Sequence, residues 1–337
     1  MKIFIIGGGW YGCHLALSLI NRGYDVQIYE KNKELFSESS LHNQNRLHLG
    51  FHYPRSYKTR IQSKRGFRLF LKNYPELIKS IDLSLYAIAS NNSLLDFETY
   101  KMIIDSTQLP YEDVTNCLPI FVNNVDGVID CDEQTILSRK AKQFFQEKLV
   151  KHSIFNSSIT EHDCIDFANN GDFVIDCTWN KIFEKKDLIY EPTIIFKYKN
   201  ERKLNFGLTI MDGNLCSLFP FDESTTTLSD VEFTPLGQFS SSKAAYEKVN
   251  KIGKNEIASR KIKMEKKMKQ FLPGFNEYFY EAEPYFSIKT KPKNSANDNR
   301  YTYLINEQPN IYSVFAGKID TIFDIEYSIL SILENNY

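Results

Sequence analysis

A short apolar strand that runs straight into a glycine-rich turn constrains this chain more than any other feature. Lys2-Ile3-Phe4-Ile5-Ile6 is apolar and β-branched, and its length suits a strand buried on both faces. Gly7-Gly8-Gly9-Trp10-Tyr11-Gly12 follows at once. Cys13 to Ile20 then repeats apolar residues at helical spacing, and Gly23 punctuates the end of that helix. Tyr24 to Tyr29 forms a second strand pattern, closed by Glu30. Strand, glycine turn, helix, strand and acid, in that order, predict a βαβ unit that holds an adenine dinucleotide.

Each residue type has a physical task in such a unit. Gly7 lets the chain turn tightly off the strand, Gly9 lets backbone approach a diphosphate, and Gly12 lets the helix pack close to the sheet. The helix start, with Trp10 and Tyr11, presents N–H groups and a positive dipole end to the phosphates. Glu30, followed by Lys31, is placed to accept hydrogen bonds from the ribose hydroxyls, and its charge repels a 2′-phosphate.

A chain of 337 residues is long enough for a large core and two domains. A formal net charge of -1 gives no electrostatic case for nucleic acid or an anionic membrane. No apolar run approaches the length of a membrane span, and the N-terminal one is too short for a signal peptide. Cys13, Cys117, Cys131, Cys164, Cys177 and Cys216 are scattered without a CxxC pair. That pattern argues against a zinc site or disulfide framework and fits a reducing cytoplasm, so the expected localisation is cytoplasmic.

The second informative stretch is His42-Asn43-Gln44-Asn45-Arg46-Leu47-His48-Leu49-Gly50-Phe51-His52-Tyr53-Pro54-Arg55-Ser56. Arg46, His48 and Gly50 alternate with Leu47, Leu49 and Phe51, so an extended chain here has one polar and one buried face. The bland reading is a polar loop that satisfies its own turns. The functional reading is a segment that brings donors to a cofactor, as loops beside cofactors often do.

Further along, Ser56 to Leu77 predicts a helix, Leu83 to Ala89 a strand, and Asp96 to Ser106 another helix. Asp132 to Leu149 predicts a long helix capped by Asp132. Phe173 to Trp179 is a buried strand ending in a small polar turn. Between Thr193 and Phe233 the pattern alternates, with a turn at Met211-Asp212-Gly213-Asn214, and predicts antiparallel hairpins in a second domain. Ser241 to Phe271 predicts one long Lys-rich helix, either a basic patch for a phosphorylated substrate or a solvated face with methionines that pack. Tyr301 to Ile305 and Ile311 to Phe315 return to strand character before Ala316-Gly317-Lys318-Ile319-Asp320-Thr321 and a final helix.

Four places in the chain resemble the D-amino-acid-oxidase-like family of FAD-dependent oxidoreductases. They are Gly7 to Glu30, Asn43 to Arg55, the Val174-Ile175-Asp176-Cys177-Thr178 strand, and the Ala316-Gly317-Lys318 turn. The family has glycine where Trp179 follows Thr178. The run Asn43 to Pro54 also looks like a branch of the family met among bacterial surface-polysaccharide genes. The resemblance implies FAD rather than NAD, which spacing alone does not distinguish.

The expected fold is therefore α/β: a Rossmann-like FAD-binding domain with a parallel sheet, and a second, α+β substrate domain on an antiparallel sheet. The expected boundaries are 1–80, 128–190 and 285–337 for the FAD domain, and 81–127 and 191–284 for the substrate domain. Candidate FAD contacts are Gly7, Gly9, Trp10, Tyr11, Gly12, Glu30, Lys31, Asn45, Arg46, Leu47, Thr178, Gly317, Lys318 and Ile319. For catalysis, His48 or His52 takes a substrate proton, Arg46 holds a substrate carboxylate or phosphate, and Tyr53 closes over the ring. The helix start after Gly317, with Lys318, stabilises negative charge on the reduced flavin. The expected reaction removes a hydride from a C–H beside an amine or hydroxyl of a small polar substrate (sugar, sugar nucleotide or amino acid). A redox-neutral sugar-nucleotide mutase and a non-catalytic nucleotide-binding protein are the alternatives, and the oligomeric state is open.

Overall fold

The computed structural model of the protein describes residues 1–200, 205–213, 215–293 and 302–335. Its first strand, Ile3–Ile6, is buried at every position and lies inside a six-stranded sheet. Val26–Tyr29 and Phe173–Asp176 flank it in parallel, with Ile5 opposite both Ile28 and Ile175. Ser153–Ile154 and Ile311–Phe315 extend the parallel set on either side, and Tyr303–Gln308 closes one edge antiparallel. Parallel neighbours need long crossovers. The first is the helix Trp10–Asn21, whose inner face buries Cys13, Leu15, Ala16 and Leu19.

Trp10 anchors the core beside this sheet. Its indole packs on Phe36, Phe70 and Phe145 at centroid distances of 5.1, 5.5 and 5.7 Å. Phe70 comes from the helix Tyr57–Asn73 and Phe145 from the helix Ser138–Leu149. Aromatic side chains bury large apolar areas, so this cluster ties three helices together.

A second sheet has eight strands in the order Phe279–Pro292, Leu188–Asn200, Thr225–Asp230, Cys216–Pro220, Phe206–Met211, Leu83–Ala89, Val125–Cys131 and Tyr111–Asp113. Its pairings are antiparallel except that of Phe206–Met211 with Leu83–Ala89, which is parallel. One face packs against the helix Lys254–Phe271 through Met264 and Met268, both fully buried. The methionines therefore serve packing. A three-stranded sheet of Arg46–Leu47, Gln134–Ile136 and Ile78–Ser80 lies apart from these two.

The expected mixed fold, a mostly parallel sheet beside a mostly antiparallel one, is the observed one. Several local expectations need correction. The long helix from Ser241 is two helices, Ser242–Lys251 and Lys254–Phe271, because Ile252 and Gly253 are extended. Glycine weakens a helix interior, and here it starts a new helix instead. Asp132 caps no helix. Gln134–Ile136 pairs as a strand first, and the helix begins at Ser138 after Leu137. Val125–Cys131 and Phe279–Pro292 straddle the expected boundaries at 128 and 285, and each belongs wholly to the eight-stranded sheet. Asn214 of the expected turn and Tyr301 of the expected strand fall outside the described residues. The Lys-rich helices carry paired charges: Lys248 and Arg260 meet Glu256, Lys261 and Lys269 meet Glu265, and Lys267 meets Asp230.

Candidate active site

The glycine turn shows which glycines the fold itself demands. Gly7 has φ +105°, in the region that disfavours side chains. A Cβ on Gly12 would lie 1.9 Å from the Gly7 carbonyl oxygen, so the helix sits directly against the turn. Gly9 differs. Its Cβ would meet only the Ser40 hydroxyl, at 2.8 Å, and otherwise project into open space before the helix start. Gly9 caps that helix without a side-chain hydrogen bond. The Ser40 hydroxyl accepts from the Trp10 N–H at 3.0 Å, which brings the loop after Glu30 over the helix N-terminus. Ser40 was not among the expected contacts, although it lies in a serine-bearing loop.

Glu30 is buried. One carboxylate oxygen accepts from the Gly8 N–H at 2.8 Å, and the other from the Asn32 backbone and side-chain N–H groups at 2.9 and 2.8 Å. An ionised carboxylate offers about four acceptor sites, so capacity for a ribose hydroxyl remains. Lys31 pairs with Glu38 at 2.7 Å, and Lys181 reaches the same carboxylate at 3.2 Å. The Tyr246 hydroxyl also donates to Glu38. Burial would raise the Glu38 carboxyl, but these partners outweigh it and hold it at about 2.

The middle strand ends at Asp176, whose buried carboxylate accepts from the Thr178 N–H and hydroxyl at 2.8 and 2.6 Å. Burial pushes its carboxyl above the ordinary range. Trp179, where the resembled family has glycine, keeps a glycine-like φ of +63°. Its indole Nε1 is buried with no hydrogen-bond partner among the described residues.

The C-terminal turn is tied to the first helix. The Tyr11 hydroxyl donates to the Lys318 carbonyl at 2.5 Å and lies 2.8 Å from the Thr321 hydroxyl. Ala316-Gly317 leaves the strand, Ile319 packs against the main core, and the helix Ile322–Asn335 begins just beyond. Lys318 is buried. Its ammonium donates to Ser63 at 2.8 Å, lies 3.5 Å from Asp320 and sits 5.1 Å from the centre of the Tyr53 ring.

Four candidates chosen from sequence therefore meet: Lys318 faces Tyr53, whose ring lies 5.5 Å from His48 and 5.4 Å from His52. The two imidazoles are 5.5 Å apart. Behind His48 stands Glu133, a buried carboxylate that sequence reading missed.

Arg46 does not stand open as a substrate clamp. Its guanidinium is buried and donates to Thr209 and Ser217 at 2.8 Å each and to the Tyr86 hydroxyl at 3.3 Å. It also stacks on the Phe219 ring at 4.0 Å. A buried cation needs such partners, and they come from the eight-stranded sheet. Asn45 is likewise engaged: its amide donates to the Phe221 carbonyl and accepts from Ser138. The side chains of Leu47 and Trp10 lie in the core.

Comparison with known proteins fits this geometry. A family profile described as "FAD dependent oxidoreductase" matches residues 2–96. The FAD-dependent monooxygenase FPY4 of Fusarium mangiferae is 36% identical over 98% of this chain and 90% of its own length. The chain belongs to the FAD-dependent oxidoreductase family. This oxidoreductase also shares its fold with glycine oxidase from Geobacillus kaustophilus (TM-score 0.72, 10% identity, 99% of this chain and 94% of that one). L-alpha-glycerophosphate oxidase from Mycoplasma pneumoniae matches as well (TM-score 0.71, 16% identity, 99% and 94%). Family membership sets aside the non-catalytic reading: the protein is an enzyme and its cofactor is FAD.

The residues of this oxidoreductase fit that cofactor. The space before Gly9 is one a Cβ would fill, the helix start is capped by the Ser40 hydroxyl alone rather than by its own N-cap residue, and the Trp179 indole N–H is buried without a hydrogen-bond partner among the described residues. Among the described residues, no helix is long and apolar enough to cross a membrane.

Proposed function

We propose that this oxidoreductase removes a hydride from a C–H beside a hydroxyl or amine of a small polar substrate. Bound FAD supplies the hydride acceptor. Gly7, Gly9 and Gly12 with the backbone of Trp10 and Tyr11 hold the diphosphate, and Glu30, beside Lys31, holds the ribose. Asn45, the backbones of Arg46 and Leu47, and Thr178, Gly317, Lys318 and Ile319 line the path toward the reactive ring. On this reading residues 1–80 and parts of 128–190 and 285–337 carry the cofactor, and the eight-stranded sheet covers the substrate.

The observation that carries the proposal is the meeting of His48, His52, Tyr53 and Lys318 at the C-terminal turn. His48 takes the hydroxyl or ammonium proton of the substrate as the C–H bond breaks. His52 and Tyr53 shape the wall of the pocket. The Lys318 ammonium and the helix start beyond it offset negative charge that develops nearby. The name of the Fusarium mangiferae relative, a monooxygenase, favours oxidative chemistry over a redox-neutral mutase. A mutase would use the basic helices for a nucleoside diphosphate, and there Lys248, Lys261 and Lys269 are paired with acids. Sugars and sugar nucleotides, including precursors of surface polysaccharides, are the finer substrate expectation.

The test is anaerobic mixing of the FAD-loaded enzyme with glucose, UDP-glucose, glycine and glycerol 3-phosphate, followed by the visible flavin spectrum. Bleaching by one of them supports the proposal. His48→Ala then slows bleaching by about 10²–10⁴-fold, the span of a general base. Turnover that requires prereduced flavin and leaves its oxidation state unchanged would overturn it.

A further inference from the structure

Glu133 has no task in that reading, yet its placement is tightly specified. Arg46–Leu47 runs antiparallel to Gln134–Ile136 with Leu47 opposite Gln134. One step further along the pair sets His48 across from Glu133. One carboxylate oxygen accepts from the Leu49 N–H at 2.8 Å, and the other from the Tyr86 hydroxyl at 2.7 Å. With both oxygens held, the carboxylate cannot rotate away. The first oxygen lies 3.5 Å from His48 Nδ1, and the second 4.0 Å from Arg46 Nε. His52 and Tyr53 face the same imidazole, and Lys318 stands behind Tyr53.

Burial works against a charge on Glu133, but His48, Arg46 and the Tyr86 hydroxyl outweigh it and hold the carboxyl below its ordinary value. The group is therefore ionised at neutral pH and can only accept hydrogen bonds. A ring nitrogen that faces it is stabilised as N–H.

We infer that Glu133 is a positioning residue that fixes the His48 ring with its proton on Nδ1, leaving Nε2 as the basic atom. This rests on the reading of His48 as the proton acceptor. It deepens that reading, because an imidazole whose proton is parked on one nitrogen presents a lone pair at the other in every molecule.

Nitrogen NMR of histidine-labelled, FAD-loaded protein tests the inference directly, with His48→Gln used to assign the signal. The expected tautomer of His48 in the wild-type enzyme is Nδ1–H, and finding Nε2–H would overturn the inference whether or not Glu133→Gln folds. In Glu133→Gln the Nδ1–H fraction falls. With whichever panel compound bleaches the flavin, its rate drops on the order of 10²-fold. An unchanged tautomer and rate in Glu133→Gln would also overturn it. A His48→Ala enzyme that bleaches at the wild-type rate would instead remove His48 as the base, and the tautomer result would still decide what Glu133 does to the ring.

Discussion

Tyr11 and Lys318 lie 307 positions apart in the chain, and the hydroxyl of the first donates to the carbonyl of the second at 2.5 Å. This contact joins the helix that follows the glycine turn to the turn that precedes the last helix. Burial pushes the Tyr11 phenol well above its ordinary range, so it stays protonated and able to donate. One side chain thus ties the N-terminal glycine turn to the C-terminal turn.

Tyr11→Phe leaves the Lys318 carbonyl without that donor. The Thr321 hydroxyl still donates to that carbonyl at 3.1 Å, so the cost is that of one hydrogen bond, about 0.5–1.5 kcal/mol. Chemical denaturation of the FAD-loaded protein is expected to show a loss in that range, and no change would mean the contact is immaterial.

The glycines separate fold from ligand. Gly12→Ala places a methyl 1.9 Å from the Gly7 carbonyl oxygen, so the βαβ unit cannot close and soluble folded protein is not expected. Gly9→Ala needs only the Ser40 hydroxyl to move. It is expected to keep the wild-type circular dichroism spectrum and thermal midpoint of the apoprotein while binding FAD at least 10-fold more weakly, about 1.4 kcal/mol. Equal FAD affinity in the two proteins would show that no diphosphate sits before Gly9.

Arg46→Ala tests the corrected role of that residue. Removing one partner from a buried ionic network costs about 3–5 kcal/mol. The expected result is a large loss of stability in urea denaturation. A stable variant with only a raised KM would restore Arg46 as a substrate clamp.

Glu326, in the last helix, supplies a pH signature. Burial would raise its carboxyl, but the hydrogen bond and charge of His14, with Ser18 and Arg22, outweigh that and hold it at about 2. A folded-state value below the unfolded one stabilises the protein above the unfolded value and loses that contribution as pH falls through the folded one. Stability should therefore decline between about pH 4.5 and 2. In Glu326→Gln this part of the decline is expected to vanish, as read from denaturation curves across that window.

Local signals specify structure where the cause is local. Ser56 and Asp96 cap helices at the expected places, each accepting an N–H three residues on. The strand Leu83–Ala89 has its expected bounds. Asp132 also looked like a cap, but the β-branched Thr135 and Ile136 found strand partners in Arg46–Leu47 and Ile78–Ser80. Tertiary pairing overrode a local preference there. The break at Gly253 shows the reverse, a local breaker passed over inside a long periodic run.

The sequence by itself determined the βαβ unit with its glycine turn and acid. Those features depend on contacts within thirty residues and on backbone angles that few residue types accept. It also marked His48, His52, Tyr53 and Lys318 as chemically unusual. Only the tertiary structure decided that these four meet, that Arg46 is buried among hydroxyls, and that Glu133 backs His48. Each of those facts depends on strand register and packing between segments tens to hundreds of residues apart, and a buried carboxylate carries no mark in the sequence of the partner it will face.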